Sequence, residues 1–136
     1  MALVVLDQGS LILLGALQGG PFSAGYVLRL FQNNHTPAEG DDNTDYVEAD
    51  FDGYSAIAIG SWTPPYLNGS GKAEIDEINR TFTQTGTGIT NDVYGYYVTD
   101  PAGNVVWAER DPSAPVAMNA AGRTYTVFLR FTLNSE

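Results

Sequence analysis

The chain opens on apolar runs and then changes period. Leu11, Ile12, Leu13, Leu14, Ala16 and Leu17 fall on nearly every side of a helical projection. Asp7 or Ser10 is placed to cap such a helix, and Gly19-Gly20-Pro21 to stop it. The pattern predicts a short buried helix over 8–18, with a buried strand as its competitor, because a short apolar run does not separate the two. After Pro21 the period becomes two. Tyr26, Leu28 and Leu30 alternate with Val27, Arg29 and Phe31, which predicts a strand over 25–32. Asn33-Asn34-His35-Thr36-Pro37 is a turn cluster, and Glu39 to Asp45 an exposed acidic loop. Val47, Ala49 and Phe51 then alternate with Glu48, Asp50 and Asp52, a strand with one wet, acidic face that can blunt a sheet edge. Gly53 interrupts it, Tyr54 to Ile59 resumes as apolar strand, and Ser61 to Gly71 reads as a long loop.

The second half is plainer. Residues 73–84 alternate less cleanly, with strong strand propensity at Thr81-Phe82-Thr83. Val93 to Thr99 is a Tyr-rich strand and Val105 to Glu109 its return, joined by Asp100-Pro101-Ala102-Gly103-Asn104. In that turn Pro presets φ and Gly supplies a permissive position, so 93–109 predicts a hairpin. A Pro-containing loop occupies 111–115. The last strand runs over 123–133 with Tyr125, Val127, Leu129, Phe131 and Leu133 on one face. No repeat or linker divides the chain, so residues 1–136 read as one mostly β domain. The expected form is an antiparallel sandwich or barrel of seven or eight strands between 25 and 133, with one short N-terminal helix.

Composition narrows function more than fold. Among 136 residues, 6 Lys and Arg stand against 16 Asp and Glu, a net charge of −10. Phosphate-backbone binding needs clustered cations, so no nucleic-acid partner is expected, and an anionic membrane surface is equally disfavoured. The N-terminal apolar runs lack a basic lead and are broken by Asp7 to Ser10, so neither a secretory signal nor a membrane span is read there. With 43% hydrophobic residues a core can form. Cysteine is absent and His35 is the single histidine, which removes disulfides, thiolate nucleophiles and any metal site needing two imidazoles.

Candidate chemistry is thin. Asp41-x-Asn43-x-Asp45 matches the opening of a calcium loop, with Asp52 at the twelfth position. Tyr46 occupies the sixth place, where the turn needs Gly, and Asp52 is shorter than the usual bidentate Glu. Asp41, Asn43 and Asp45 are therefore weak metal candidates, and no cofactor is expected. Glu74, Asp76 and Glu77 offer carboxylate pairs on paper, yet their spacing does not single out a hydrolytic pair. No Gly-x-Ser-x-Gly elbow accompanies His35, and Gly86-Thr87-Gly88 lacks the Lys of a phosphate loop. Aromatic residues are the remaining signal. Trp62 and Tyr66 flank Pro64-Pro65, and adjacent Tyr96 and Tyr97 must point to opposite faces of a strand, so at least one should leave the core. Trp62, Tyr66 and Tyr96 are the candidate interaction surface, since interfaces enrich Tyr and Trp.

A resemblance enters here. Leu11-Ile12-Leu13-Leu14-x-Ala16-Leu17 leads into Leu28-Arg29-Leu30-Phe31-Gln32-Asn33-Asn34-His35-Thr36-Pro37. Asp45-Tyr46-Val47-Glu48-Ala49 and Phe51-x-Gly53-Tyr54 follow, then Val93-Tyr94-Gly95-Tyr96-Tyr97-Val98 and Val106-Trp107-Ala108-Glu109-Arg110. The order resembles a group of small virion structural proteins of tailed bacteriophages. The resemblance implies a non-enzymatic capsid decoration (cement) protein or another small virion component, made in the host bacterial cytoplasm and located in the virion. Its implied partners are the major capsid protein and further copies of itself, most often as a trimer. The alternative is a tail-associated carbohydrate- or receptor-binding module, or a minor tail structural module. The shared positions are turns and core, so the resemblance transfers no functional residue.

Overall fold

A computed structural model of the chain describes residues 3–5, 25–62, 66–70 and 73–132. The helix predicted over 8–18 lies outside the described residues. Within them the molecule is mostly β, without an α-helix, and the twelve strands are short. A five-stranded antiparallel sheet runs in the order β1 (Leu3–Val5), β9 (Val105–Arg110), β8 (Gly95–Thr99), β2 (Val27–Phe31), β3 (Ile57–Ala58). A three-stranded sheet runs β12 (Arg130–Thr132), β5 (Ala73–Asp76), β4 (Tyr66–Leu67). Two further antiparallel pairs join β10 (Val116–Met118) to β7 (Asn91–Val93) and β11 (Thr124–Val127) to β6 (Arg80–Thr83). None of these sheets closes into a barrel, so that half of the expectation is corrected.

The predicted hairpin is present. β8 pairs with β9 from Gly95↔Arg110 to Thr99↔Val105. Asp100 Oδ1 accepts the amides of Ala102 (3.0 Å) and Asn104 (2.8 Å), and Gly103 takes φ +89°, a region that strains any residue with a Cβ. Gly95 has a different reason to be Gly. A Cβ there would lie 2.1 Å from the Glu109 carbonyl oxygen and 2.8 Å from the Phe31 ring, and the first of these is backbone that cannot move aside.

The long predicted strands are interrupted. Over 73–84 the ladder stops at Glu77, which is 1% exposed, and the strand resumes as β6. Arg80 Nε lies 3.2 Å from Glu77 Oε1, and the Gly60 amide 3.3 Å from Oε2, so the buried charge is paired and hydrogen-bonded. Over 123–133 the break falls at Phe128-Leu129, and over 93–99 at Tyr94. The stretch read as a strand over 47–52 keeps only the Glu48 bridge to Phe31. Backbone bonds from the Gln32 amide to the Val47 carbonyl (2.8 Å) and from the Ala49 amide to the Leu30 carbonyl (2.9 Å) flank that bridge, and Asn91 Oδ1 accepts the amides of Asp50 (2.7 Å) and Phe51 (2.9 Å). Only Ile57–Ala58 of the stretch 54–59 is strand, and the loop read over 61–71 contains β4 and a Trp62–Glu77 bridge.

The main core gathers one face of the five-stranded sheet with inward residues of the smaller sheets. Trp107 is fully buried, its ring 4.5 Å from Phe131 and 5.8 Å from Tyr26. Leu28, Leu30, Val98 and Val106 lie beside it, with Phe82, Met118, Val127 and Leu129. The other face of the sheet is covered as well. Phe31, Tyr97, Val105 and Ala108 form a second cluster with Tyr46, whose ring stacks on Tyr97 at 5.0 Å. All five residues of β8 are therefore buried.

Candidate functional site

The acidic loop is a folded clasp. Asp41 Oδ2 receives three donors: His35 Nε2 at 2.7 Å, the Tyr46 hydroxyl at 2.7 Å and the Ala38 amide at 2.9 Å. Burial opposes its ionisation, but the hydrogen bonds from His35, Tyr46 and Ala38 outweigh burial and hold Asp41 below the usual aspartate range. Tyr46 is raised above the ordinary phenol range by burial first and then by this carboxylate. Asn43 faces the β8–β9 hairpin, donating to the Gly103 carbonyl and accepting the Val105 amide at 3.1 Å. Asp45 Oδ2 accepts the Asp42 amide at 2.8 Å, closing a capping box on the 3-10 turn Asn43–Asp45. An open cleft lies between Asp41–Thr44 and Asn104–Val105. The three calcium-candidate residues thus serve three different contacts. Among the described residues, no three His, Cys, Asp or Glu side chains converge as a metal site requires.

The acids of 48–52 keep the wetter side of the segment, opposite buried Ala49 and Phe51, and each is partnered. Glu48 takes Arg29 Nη1 at 2.9 and 2.8 Å and the Tyr54 hydroxyl at 2.9 Å. Asp50 Oδ1 accepts from Asn91 Nδ2 at 2.9 Å, and Asp52 Oδ2 accepts the Gly88 amide at 2.7 Å.

The three aromatic candidates separate. Tyr96 is 2% exposed and donates to Glu109 Oε2 at 2.6 Å, so it is core and not surface. The two tyrosines do point to opposite faces, Tyr96 into the main core and Tyr97 out of it into the second cluster, but the sheet is buried on both sides and neither reaches the surface. Trp62 packs against Phe131 at 5.8 Å and Trp107 at 6.3 Å and is only partly exposed. Tyr66 alone of the three is classed as exposed.

Tyr66 belongs to an outward network on the β12–β5–β4 sheet. Ile75 and Phe131, partners in the β5–β12 ladder, turn toward the core, which puts Glu74, Asp76, Arg130 and Thr132 on the opposite face, where Arg130 is the more open and Glu74 is covered to 9% exposure. The Tyr66 hydroxyl lies 2.7 Å from Glu74 Oε2 and 2.9 Å from Asp76 Oδ2. Arg130 grips Asp76 through Nε at 2.8 Å and Nη2 at 3.3 Å, a bidentate fork, and Glu74 Oε2 is 3.5 Å from Nε. Asn68 (2.7 Å) and Thr132 (3.0 Å) complete Glu74 Oε1. The hydrogen bond to Glu74, with burial and Asp76 adding to it, pushes the Tyr66 phenol up to about 12. Glu74 is held low chiefly by Asn68 and Tyr66, and Asp76 chiefly by Arg130.

Apolar side chains border this network. Phe128 is 48% exposed with the Arg130 guanidinium 4.9 Å from its ring centre, and Ile78, beyond β5, is 51% exposed. Leu67, on the edge strand, is 73% exposed. The sequence reading passed over Phe128, Ile78 and Arg130. A signal for Phe128 was there: it stands in the polar register of 124–132, among Thr124, Thr126, Arg130 and Thr132.

Compared with family models, curated proteins and solved structures, the chain gives no match.

Proposed function

We propose that this chain is a non-enzymatic bacteriophage virion structural protein, a capsid decoration protein that binds the outer surface of the head shell and stabilises it. The observation that carries the reading is the outer face of the β12–β5–β4 sheet, where Tyr66, Phe128 and Ile78 are exposed around a fixed ionic network. Such faces serve association, since interfaces enrich aromatic residues and Arg. The remaining acids described above serve as internal ties, which suits a rigid unit bound in many copies. A charge of −10 keeps free copies apart before docking and favours the outside of a shell over its DNA-lined interior. The resemblance to small virion proteins supplies the virion assignment, and analogy with decoration proteins supplies the trimer.

Particles made without the protein should assemble yet lose their DNA sooner on heating or osmotic shock, and the copy number in wild-type particles should match that of the capsid protein. Equal resistance in both particles, with the protein found on the tail, would overturn the reading. A second reading, a tail-associated carbohydrate- or receptor-binding module, draws on Tyr66, an exposed ring beside two carboxylates. It expects tail localisation, and host adsorption lost in Tyr66→Ala.

A further inference from the structure

We infer that Asn68 is a self-modifying site, at which the backbone nitrogen of Gly69 displaces the side-chain amide as ammonia and water then leaves aspartate or isoaspartate. The chemistry is independent of what the chain assembles with. Asn68 is the one asparagine in the sequence that Gly follows. A residue without a Cβ lets its nitrogen approach the preceding side chain unhindered. Asn34, Asn79, Asn104 and Asn119 are more exposed than Asn68, but each is followed by a residue that carries a Cβ.

The connection that leaves β4 supplies the rest. Asn68 follows β4 directly, Gly69 is exposed, and the Ser70 amide donates to Asn68 Oδ1 at 2.9 Å. That amide polarises the carbonyl under attack and stabilises the negative charge that gathers on Oδ1 in the tetrahedral intermediate. The Gly69 nitrogen bonds to Asn68 Cγ and gives up its proton, and the Cγ–Nδ2 bond breaks as Nδ2 takes up a proton and leaves as ammonia. Water opens the resulting succinimide. Attack at Cγ restores the ordinary peptide bond and gives aspartate, and attack at the backbone carbonyl gives isoaspartate, with the chain rerouted through the side chain.

Conversion rewrites the network around Tyr66. Asn68 Nδ2 donates to Glu74 Oε1 at 2.7 Å, a contact that the reaction must break. Aspartate sets an oxygen in its place, so acceptor meets acceptor and two carboxylates face each other. Glu74 Oε2 holds the Tyr66 hydroxyl at 2.7 Å, so the added negative charge acts on the residue that positions this exposed ring.

The test keeps full-length protein in mildly alkaline buffer and digests it at intervals. Mass spectrometry reads each asparagine, and isoaspartate-specific enzymatic methylation reads the rerouted product. Asn68 should convert at least tenfold faster than Asn34, Asn79, Asn104 and Asn119, and Gly69→Ala should slow it at least tenfold. A Cβ at Gly69 meets no atom within 4 Å and the residue's φ lies outside the left-handed region, so this variant keeps the fold, as a thermal melt confirms. Conversion in the folded protein should be no slower than in urea, where the Ser70 amide is no longer held against Oδ1. Asn68→Asp, the product with an ordinary backbone, should melt below wild type. Conversion that is equal at the four other asparagines, unaffected by Gly69→Ala or confined to urea would overturn the site. Asn68→Asp that melts together with wild type would overturn its effect on the network.

Discussion

Replacing Asn91 with Ala should remove the tie that holds residues 50–51 to the body of the protein. One amide serves five contacts. Its Oδ1 accepts from Asp50 and Phe51, and its Nδ2 lies 2.9 Å from Asp50 Oδ1, 3.1 Å from Gln32 Oε1 and 2.9 Å from the Thr90 carbonyl. Asn91 is 9% exposed and Phe51 1%, so in the Ala variant the Phe51 amide loses its acceptor in a buried place. A buried group left unpaired costs about 1–3 kcal/mol, and the exposed Asp50 amide, which recovers water, adds less. A loss of about 3 kcal/mol is expected in all, a large share of the ~5–15 kcal/mol by which domains are stable. For a chain of this length that loss lowers the melting temperature by about 10 °C. Urea titration followed by tryptophan fluorescence measures it, with an unchanged slope confirming that only stability moved. A loss below ~1 kcal/mol would refute the reasoning, because it would leave no penalty for the unpaired amide.

The isosteric variant sharpens the test. Asn91→Asp retains the acceptor but places a second carboxylate against Asp50, and like charges raise the pKa of the pair. A carboxylate raised in the folded state destabilises above that pKa, and the penalty fades as pH falls through it. Asn91→Asp should therefore approach wild type in mild acid, while Asn91→Ala should not.

Glu109 is raised by burial first, with Asp111 adding to it, against the hydrogen bond from Tyr96. Its ionised form therefore costs stability above the ordinary glutamate range, and Glu109→Gln should melt higher than wild type at pH 7 with the gap closing in acid; an equal gap at both pH values would contradict the burial argument. Asp41 shifts the other way, so its contribution is present above the ordinary aspartate range and is lost as pH falls through its lowered folded value. Wild type should accordingly lose more stability between about pH 4 and 2 than Asp41→Asn does, as read by melting temperature. Millimolar calcium should leave the melting temperature unchanged, since Asp41, Asn43 and Asp45 each face a different internal partner; a rise abolished by Asp41→Ala would reverse this.

The β character and the hairpin were legible because they rest on local chemistry. Alternation over 25–32 and the Asp100 to Asn104 turn each act within a few residues. Strand breaks were not legible because their causes are distant. Glu77 ends β5 as a buried charge whose second oxygen takes the Gly60 amide, 17 positions away. Segment 47–52 alternates like a strand and bonds β2 through the Ala49 amide, yet the amides of Asp50 and Phe51 leave that ladder for Asn91, 41 and 40 positions on. Period-two reasoning counts faces, and it assumes that one face of a sheet meets water. Here the turn after β2 folds Tyr46 back onto Phe31 and Tyr97, so both faces of β8 are dry.

The same geometry explains why the surface was misplaced. Tyrosine crowding over 94–97 marks the most buried sheet, where each hydroxyl needs a partner: Tyr96 finds Glu109, while Tyr97, pushed up to about 12 chiefly by burial, lies in the second cluster. Phe128 carries the opposite signature, a large ring in a register otherwise filled by Thr and Arg. In an alternating strand an aromatic residue on the dry side adds little information, because the core accounts for it. On the wet side it exposes apolar area, which the Arg130 guanidinium over its ring partly offsets. The register of an aromatic residue, more than the number of aromatic residues nearby, is what separates surface from core in this chain.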